Sequence, residues 1–231
     1  MPCDQALEWL RGYERDARSI EAEWSVQTTI AWIRAYQGHV DEARGILREG
    51  DRYLRELGRR ETAAFASQMI AWVELIAGNF EEAERLAADA STELEMMGSE
   101  VGGVLWSIRA QALYELGRYD EAEAAAQRGM ERFGDLSTIL MQRSVEAMVL
   151  ARRGRFEESE RVARDVVAQI DTSDFPSERG DMRMALAEVL QLAGRGEEAA
   201  GTIREAIAFY EAKGNVLQAG TAREKLEALT G

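Results

Sequence analysis

A short glycine-led segment that occurs five times constrains the fold of this chain more than any other feature. Each copy reads glycine, two variable residues, an acidic residue, glutamate and a small residue. The copies are Gly38–Ala43, Gly78–Ala83, Gly117–Ala122, Gly154–Ser159 and Gly194–Ala199. Their glycines are 40, 39, 37 and 40 residues apart, and a fixed period in this range indicates a repeat array. Glycine readily adopts the positive φ that ends a helix, and an acidic pair is favourable in the first turn of the next helix. The sequence therefore predicts five helical hairpins with this segment as the turn.

The rest of the sequence predicts a protein made almost wholly of helices. Between its only two prolines, Pro2 and Pro176, the chain is rich in helix-forming residues, with apolar side chains three and four positions apart. We predict an all-α protein, a right-handed α-solenoid of about five hairpins in a single domain over residues 1–231. The predicted repeats are 20–58, 60–98, 100–134, 136–174 and 177–214, with terminal helices at 4–18 and 216–229. After Pro176, Ser177 is predicted to cap its helix.

Small residues recur on both sides of each turn, where they allow two helices to approach closely. Seven residues before the glycines stand Ala31, Ala71, Ala110, Ala147 and Ala187. Five residues after them stand Ala43, Ala83, Ala122, Ser159 and Ala199. With the aromatic residue inside several turns, this pattern resembles the tetratricopeptide repeat, and Trp106 falls on that family's tryptophan position. The chain departs from the family in two ways. Typical members repeat about every 34 residues, whereas the period here is 37 to 40 residues. The repeats here also close with glycine instead of proline.

A second resemblance covers most of the chain and is strongest after about Val145. The segments 149–158, 186–195 and 209–216 resemble the C-terminal array of bacterial class III adenylate/guanylate cyclases fused to an ATPase module. This resemblance implies a regulatory segment of a bacterial signalling protein. It does not extend to the catalytic modules, because the sequence has no glycine-rich phosphate-binding loop.

The charge balance bears on the class of partner. The chain has 28 Lys and Arg against 42 Asp and Glu, a formal net charge of -14. Nucleic acid and anionic membrane surfaces are therefore disfavoured as partners, since both are bound through basic residues. The acidity is typical of a soluble, self-repelling surface, and the alternative is a groove for a basic peptide. Without a signal peptide or a long apolar run, the chain is predicted to be cytoplasmic.

Few residues are candidates for chemistry. Cys3 is the only cysteine and His39 the only histidine, so we predict neither a disulfide nor a metal site, and we expect Cys3 to be exposed. The recurring acidic pairs belong to the turns, and we predict that the protein is not an enzyme and has no cofactor. Arg152, Arg153 and Arg155 form a basic cluster at the fourth turn. These arginines are interpreted as complementing a helix end, and the alternative is a docking site for a phosphate or an acidic segment.

Candidate functional residues lie on the first helix of each hairpin, which lines the concave face in the resembling family. On that family's pattern, groove positions fall thirteen, ten, six, three and two residues before the turn glycine. The predicted groove residues are Thr28, Trp32, Tyr36, Phe65, Gln68, Trp72, Leu75, Ser107, Gln111, Tyr114, Met141, Ser144, Met148, Met184 and Glu188. Aromatic residues and methionine suit a binding surface. The alternative that Trp32 and Trp72 are core residues stays open.

The predicted function is that of a non-catalytic scaffold, which binds a protein or peptide segment as the regulatory module of a signalling protein. One alternative is a small-molecule sensor whose ligand is enclosed around Trp32, Trp72 and Tyr114. The other is self-association through the terminal helices, which would give a homodimer.

Overall fold

The computed structural model describes residues 1–14, 19–99, 102–132 and 134–231. In these ranges the chain forms twelve α-helices and no β-strand. The helices are α1 (Cys3–Glu14), α2 (Ile20–Tyr36), α3 (Val40–Glu56), α4 (Arg60–Ile76), α5 (Phe80–Met96), α6 (Gly103–Glu115), α7 (Tyr119–Met130), α8 (Leu136–Arg152), α9 (Phe156–Ile170), α10 (Pro176–Leu192), α11 (Gly196–Lys213) and α12 (Val216–Thr230). The all-α prediction is confirmed for this part of the chain.

The chain groups into two compact units. The first unit comprises Met1–Val101 with Gly214–Leu217, and the second comprises Gly102–Lys213 with Gln218–Gly231. In the first unit, α2 pairs with α3 and α4 with α5. In the second unit, the pairs are α6 with α7, α8 with α9, and α10 with α11. The first helices of successive hairpins also pack together, α2 on α4 in the first unit, and α6 on α8 and α8 on α10 in the second. That the whole chain is one domain stays a prediction.

The turns form as predicted. Gly38, Gly78, Gly117, Gly154 and Gly194 have φ values of 86, 80, 74, 77 and 77°. At the second turn the amide of Gly78 donates to the carbonyl of Leu75 (3.1 Å), and that of Asn79 donates to the carbonyl of Glu74 (2.9 Å). This pairing satisfies carbonyls that the end of α4 would otherwise leave unpaired. The predicted acidic pairs open α3, α5, α7, α9 and α11, and all ten small residues around the turns are buried.

Two glycine-to-alanine variants separate the turn geometry from helix propensity. We expect Gly78→Ala to lower the free energy of unfolding by about 1–2 kcal/mol, because an L-residue is strained at this φ. The new Cβ would meet nothing within 4 Å, so the effect is conformational. Gly45→Ala is the matched control, since Gly45 is exposed in the interior of α3 and equally unobstructed. It should stabilise the protein by roughly 0.5–1 kcal/mol. Urea unfolding measures both, and a shift of the same sign in both variants would contradict this account of the turn.

The core of each unit consists of small and branched apolar side chains between helices. One cluster in the first unit comprises Ala31, Ala35, Ala43, Leu47, Ile70 and Val73. A second comprises Cys3, Ala6, Leu7, Leu10, Ile33 and Tyr36. Cys3 is only 1% exposed, so the expectation of an exposed thiol was wrong. The reason is the spacing of Cys3, Ala6, Leu7 and Leu10, which places all four on the face of α1 that packs against α2.

The start of α10 also differs from the prediction. Phe175 occupies the N-cap position, Pro176 stands in the first turn, and Ser177 is buried inside the helix. Proline is well placed at the start of a helix, since its missing N–H would have no intrahelical acceptor there. Ser177 is therefore not the cap. The predicted helix ends at 15–18 and 100–101 lie outside the described residues. None of the described helices has both the length and the apolar character needed to cross a membrane.

Candidate binding surface

The predicted groove residues divide into buried and accessible groups. Six are buried, namely Tyr36, Leu75, Ser107, Tyr114, Ser144 and Met148. The hydroxyl of Ser107 on α6 lies 3.3 Å from the carbonyl oxygen of Thr138 on α8. The hydroxyl of Ser144 on α8 similarly contacts the sulfur of Met182 on α10. These two serines thus face the neighbouring first helix, and the burial of the six corrects the prediction that they line an open surface.

The other nine retain accessible surface. In the first unit they are Thr28, Trp32, Phe65, Gln68 and Trp72, and in the second unit they are Gln111, Met141, Met184 and Glu188. Residues three and four apart share a face of a helix. The two α2 residues therefore lie on one face, as do the three α4 residues. Each unit consequently has its own set of accessible positions on first helices.

The first-unit set centres on a pair of tryptophans. Trp32 and Trp72 stand edge to face, with ring centroids 6.4 Å apart and ring planes at 74°. Trp32 also contacts the ring of Tyr36, at 5.8 Å between centroids. Part of Trp32 packs against the cluster that contains Leu7 and Leu10. Trp32 is therefore partly packed against the core, and both indoles keep accessible surface.

The polar atoms of these two indoles are unsatisfied. The Nε1 atoms of Trp32 and Trp72 are shielded from solvent and have no hydrogen-bond acceptor among the described residues. A buried donor without an acceptor costs about 1–3 kcal/mol, and such groups call for an explanation in a native structure. On the same faces of α4 and α2, Phe65 is 43% exposed, and the hydroxyl of Thr28 donates to the carbonyl of Trp24. The pair thus combines accessible aromatic area with two unpaired donors that are shielded from solvent.

The second-unit set centres on a charged cluster that joins three hairpins. The hydroxyl of Tyr114 on α6 donates to Oε1 of Glu188 on α10, at 2.5 Å. From α8, Arg152 donates through Nε to the Tyr114 hydroxyl (3.0 Å) and through Nη2 to Glu188 (2.6 Å). The Arg152 guanidinium also lies over the rings of Tyr114 and Tyr119, 5.6 and 5.5 Å from their centroids. Burial and the neighbouring Glu188 carboxylate raise the pKa of Tyr114, so this hydroxyl remains a donor at neutral pH.

Sequence reasoning missed the part that Arg152 plays in this cluster. It assigned Arg152 to a basic turn, although the residue stands two before Gly154, a groove position in the family's pattern. Its neighbours are occupied as well. Arg153 binds Asp120 and Glu123 at 2.7 and 2.9 Å, and Arg155 pairs with Glu158. All three arginines thus have carboxylate partners, which gives no support to a docking site for a phosphate or an acidic segment.

A polar depression of about 490 Å³ lies beside the second turn in the first unit. It is lined by Asp41, Arg44, Arg48, Glu74, Gly78, Asn79, Glu81 and Glu82. At its base, the Glu74 carboxylate accepts from Arg44 Nε and Nη2 (2.8 and 2.6 Å) and from Asn79 Nδ2 (2.8 Å). Within the described ranges, no group of three or more His, Cys, Asp or Glu side chains is arranged to hold a metal ion.

Comparison with known proteins identifies the repeats and the fold. The tetratricopeptide repeat family model matches residues 103–128, 141–165 and 183–205, which are the three hairpins of the second unit. In these three hairpins the chain is thus similar to tetratricopeptide repeats. A search of the curated proteins finds no match.

Solved structures extend the likeness over nearly the whole chain. A Rap protein complexed with Competence and Sporulation Factor aligns with a TM-score of 0.60 at 11% identity, covering 98% of this chain and 72% of that one. BtubC (BKLC) from P. vanneervenii aligns with a TM-score of 0.59 at 15% identity, over 91% and 89% of the two chains. A Signal Transduction ATPase with Numerous Domains protein from Pyrococcus horikoshii, which has a tetratricopeptide repeat sensor, aligns with a TM-score of 0.55 at 17% identity, over 92% of this chain and 33% of that one. At these identities the likeness shows a common fold.

Proposed function

We propose that this protein is a non-catalytic scaffold that binds a protein or peptide segment on the accessible faces of its first helices. The observation that carries the proposal is the Trp32–Trp72 pair, which is partly accessible and has two indole N–H groups without acceptors in the described part of the chain. Tryptophan is enriched among the residues that dominate binding energy at protein interfaces. Its ring supplies apolar area and its N–H a directional donor.

A polypeptide partner matches the chemistry of this pair. Every residue of a peptide offers a main-chain carbonyl, and carbonyls are free to accept where the segment is extended or irregular. The proposal requires that binding turn an indole so that its N–H, which is shielded from solvent in the free protein, meets such a carbonyl. Binding then removes the cost of an unsatisfied donor as well as covering aromatic surface.

The structural relatives fit a regulatory role for such a scaffold. One is complexed with Competence and Sporulation Factor, and another carries its tetratricopeptide repeats as the sensor of a signalling ATPase. The net charge of -14 favours a segment with basic residues among possible partners. No relative described above is a cyclase, and membership in a cyclase-type bacterial regulator stays a prediction from the sequence.

The small-molecule alternative requires an enclosed, mostly apolar pocket. The depression beside the second turn is open and lined by charged side chains, so it is not such a pocket. Enclosure of a ligand around Trp32, Trp72 and Tyr114 stays a prediction. Self-association through α1 and α12 stays a prediction, which the mass in solution before and after removal of residues 4–18 would test.

A random-peptide display selection tests the proposal. The wild-type protein is expected to enrich a family of peptides, and Trp32→Ala/Trp72→Ala should bind those peptides at least about thirtyfold more weakly, as for the loss of an interface hot spot. Trp9→Ala is the matched control, because Trp9 is 56% exposed on α1 and lies outside the proposed surface. Trp32→Phe/Trp72→Phe retains aromatic packing and should also lose affinity, which guards against a folding defect in the alanine variant. Equal affinity of the folded double variants and the wild type would refute the proposal.

A further inference from the structure

The N-terminal helix α1 has the register of the second helix of a hairpin. It begins two residues after Met1, as α3 begins two residues after Gly38. The small residue five places after Gly38 is Ala43, and Ala6 stands five places after Met1. Both alanines are buried. The start of α1 thus aligns with the start of the second helix in the five hairpins.

The contact between α1 and α2 follows the same register. Leu10 of α1 clusters with Ile33 of α2. Leu47 holds the same position in α3 and clusters with Val73 of α4, and Ile33 and Val73 each stand five residues before a turn glycine. α1 therefore packs on α2 as a second helix packs on the first helix of the next hairpin.

The second helix of a hairpin also packs on its own first helix, through the positions eight and twelve residues after the turn glycine. At the twelfth position, a Cβ on Gly50 of α3 would overlap the Trp24 ring of α2, and one on Gly129 of α7 would lie 2.9 Å from Cβ of Trp106 of α6. The eighth position shares this face, and none of its five residues is exposed. The residues at the twelfth position are small or aliphatic and are buried or half-buried, namely Gly50, Ala90, Gly129, Val166 and Ala206.

In α1 these two positions hold exposed aromatic residues. They are Trp9 and Tyr13, which are 56% and 54% exposed and have ring centroids 4.4 Å apart. Among the described helices, α2 packs most extensively on α1, through the face that carries Leu10. The end of a repeat array needs a polar outer face, and α12 accordingly exposes four charged residues between Arg223 and Glu227. The Trp9–Tyr13 face has no such polar character.

The hairpins show which shape of helix fits an aromatic ring on this face. The two tryptophans just described each lie on a glycine of the paired helix. Tyr210 of α11 similarly lies on Gly180 of α10, where a Cβ would be 2.5 Å from Cε1 of the ring. A helix that covers Trp9 and Tyr13 therefore needs glycine or alanine opposite the rings.

The charges at the edges of the hairpins bear on the same helix. Arg143 of α8 pairs with Asp165 of α9 at 2.7 Å, and Arg183 of α10 pairs with Glu205 of α11 at 3.0 Å. Both carboxylates stand eleven residues after the turn glycine. In α1 the exposed Glu8 lies four residues before that position, on the same flank, which favours a basic residue on the covering helix. The α1 of a second copy would instead bring a second Glu8 and a second pair of aromatic rings, in a protein of net charge -14, so self-pairing is disfavoured.

We propose that α1 docks a single amphipathic α-helix of a partner protein, which completes a further hairpin. The docked helix runs antiparallel to α1, as the helices of a hairpin do. It presents glycine or alanine to Trp9 and Tyr13, and arginine or lysine to Glu8. Burial of two half-exposed aromatic side chains supplies the main part of the affinity. This site does not depend on the Trp32–Trp72 pair.

The probe for this site is a synthetic peptide of residues 176–192, the α10 segment, stapled to hold it helical. It combines Gly180 with Arg183, the two features that the site requires. When the peptide is titrated into the nitrogen-15-labelled full-length protein, the Trp9 indole signal should shift and saturate, whereas those of Trp32 and Trp72 should move little. Gly180→Trp in the peptide places a ring at the position that Trp24 holds in α2, and it should weaken binding at least about tenfold.

Trp9→Ser/Tyr13→Ser in the protein should weaken binding of the peptide at least about thirtyfold. Both side chains are exposed, so the variant should fold like the wild type. Tyr53→Ser is the matched control, because Tyr53 is 49% exposed on α3, and it should retain the wild-type affinity. The proposal is overturned if about 1 mM peptide does not bind, or if the folded double variant binds as tightly as the wild type. It is also overturned if the free protein is a dimer that the double variant dissociates, because a second copy then covers this face.

Discussion

Glu74→Ala is expected to destabilise the protein by about 3 kcal/mol, the lower end of the cost of breaking a buried ion pair. Glu74 is only 2% exposed, and both of its carboxylate oxygens accept from Arg44. Removing the carboxylate leaves the Arg44 guanidinium, whose side chain is 22% exposed, without its main partner. It also removes the acceptor of Asn79, which stands in the second turn. Urea unfolding followed by circular dichroism measures the loss.

Two further variants distinguish this mechanism from simple truncation. Glu81→Ala removes an exposed carboxylate of the same depression and should change stability by less than about 0.5 kcal/mol. Arg44→Met/Glu74→Met replaces both charges with apolar side chains, and should be clearly more stable than Glu74→Ala because no uncompensated charge remains. Equal destabilisation by Glu74→Ala and the double variant would show that the ion pair is not the cause.

Leu140→Ala is expected to destabilise the protein by about 2–5 kcal/mol. Leu140 has 0% exposure and packs with Val166, Ile170 and Met182, so three helices, α8, α9 and α10, converge on it. Truncation removes buried apolar area and leaves a cavity that the surrounding helices close only in part. The loss should appear as a lower urea midpoint with little change in the slope of the transition.

The neighbouring residue provides the control. Ile139 on α8 is 39% exposed, and Ile139→Ala should therefore cost clearly less than Leu140→Ala. The two substitutions are adjacent in sequence and remove side chains of equal size, so the difference between them measures mainly burial. Similar losses from both would contradict the placement of Leu140 in the core of the second unit.

The turns and the small residues beside them could be predicted from the sequence, because both depend on local geometry. A glycine at positive φ, such as Gly78, ends the first helix of each of the five hairpins. Small residues such as Ala71 and Ala83 are needed where the two helices of one hairpin approach closely. Each of these signals is weak alone, and its recurrence in five hairpins at a nearly constant period made the prediction possible.

The polar clusters could not be predicted, because their members are distant in sequence and occur once. In the sequence nothing distinguishes Glu74 from other helical glutamates, because its partner Arg44 lies on a different helix, α3. Tyr114 and Glu188 are 74 residues apart, and Gln218 of α12 donates to Asp181 of α10. The apolar spacing along α1 indicates that Cys3 is buried. The prediction of an exposed Cys3 did not use this spacing. For Tyr36 and Leu75 the family's groove pattern did not account for packing against neighbouring helices.

The most direct test of the central claim uses the indole N–H resonances of the five tryptophans. A peptide enriched by display selection is titrated into the nitrogen-15-labelled protein. If the accessible faces of α2 and α4 bind a polypeptide through the two unpaired donors, the Trp32 and Trp72 indole signals shift together and saturate with the binding isotherm. The signals of Trp9, Trp24 and Trp106 should move little. Saturable binding that leaves Trp32 and Trp72 unshifted, while Trp9 or another site responds, would contradict the account.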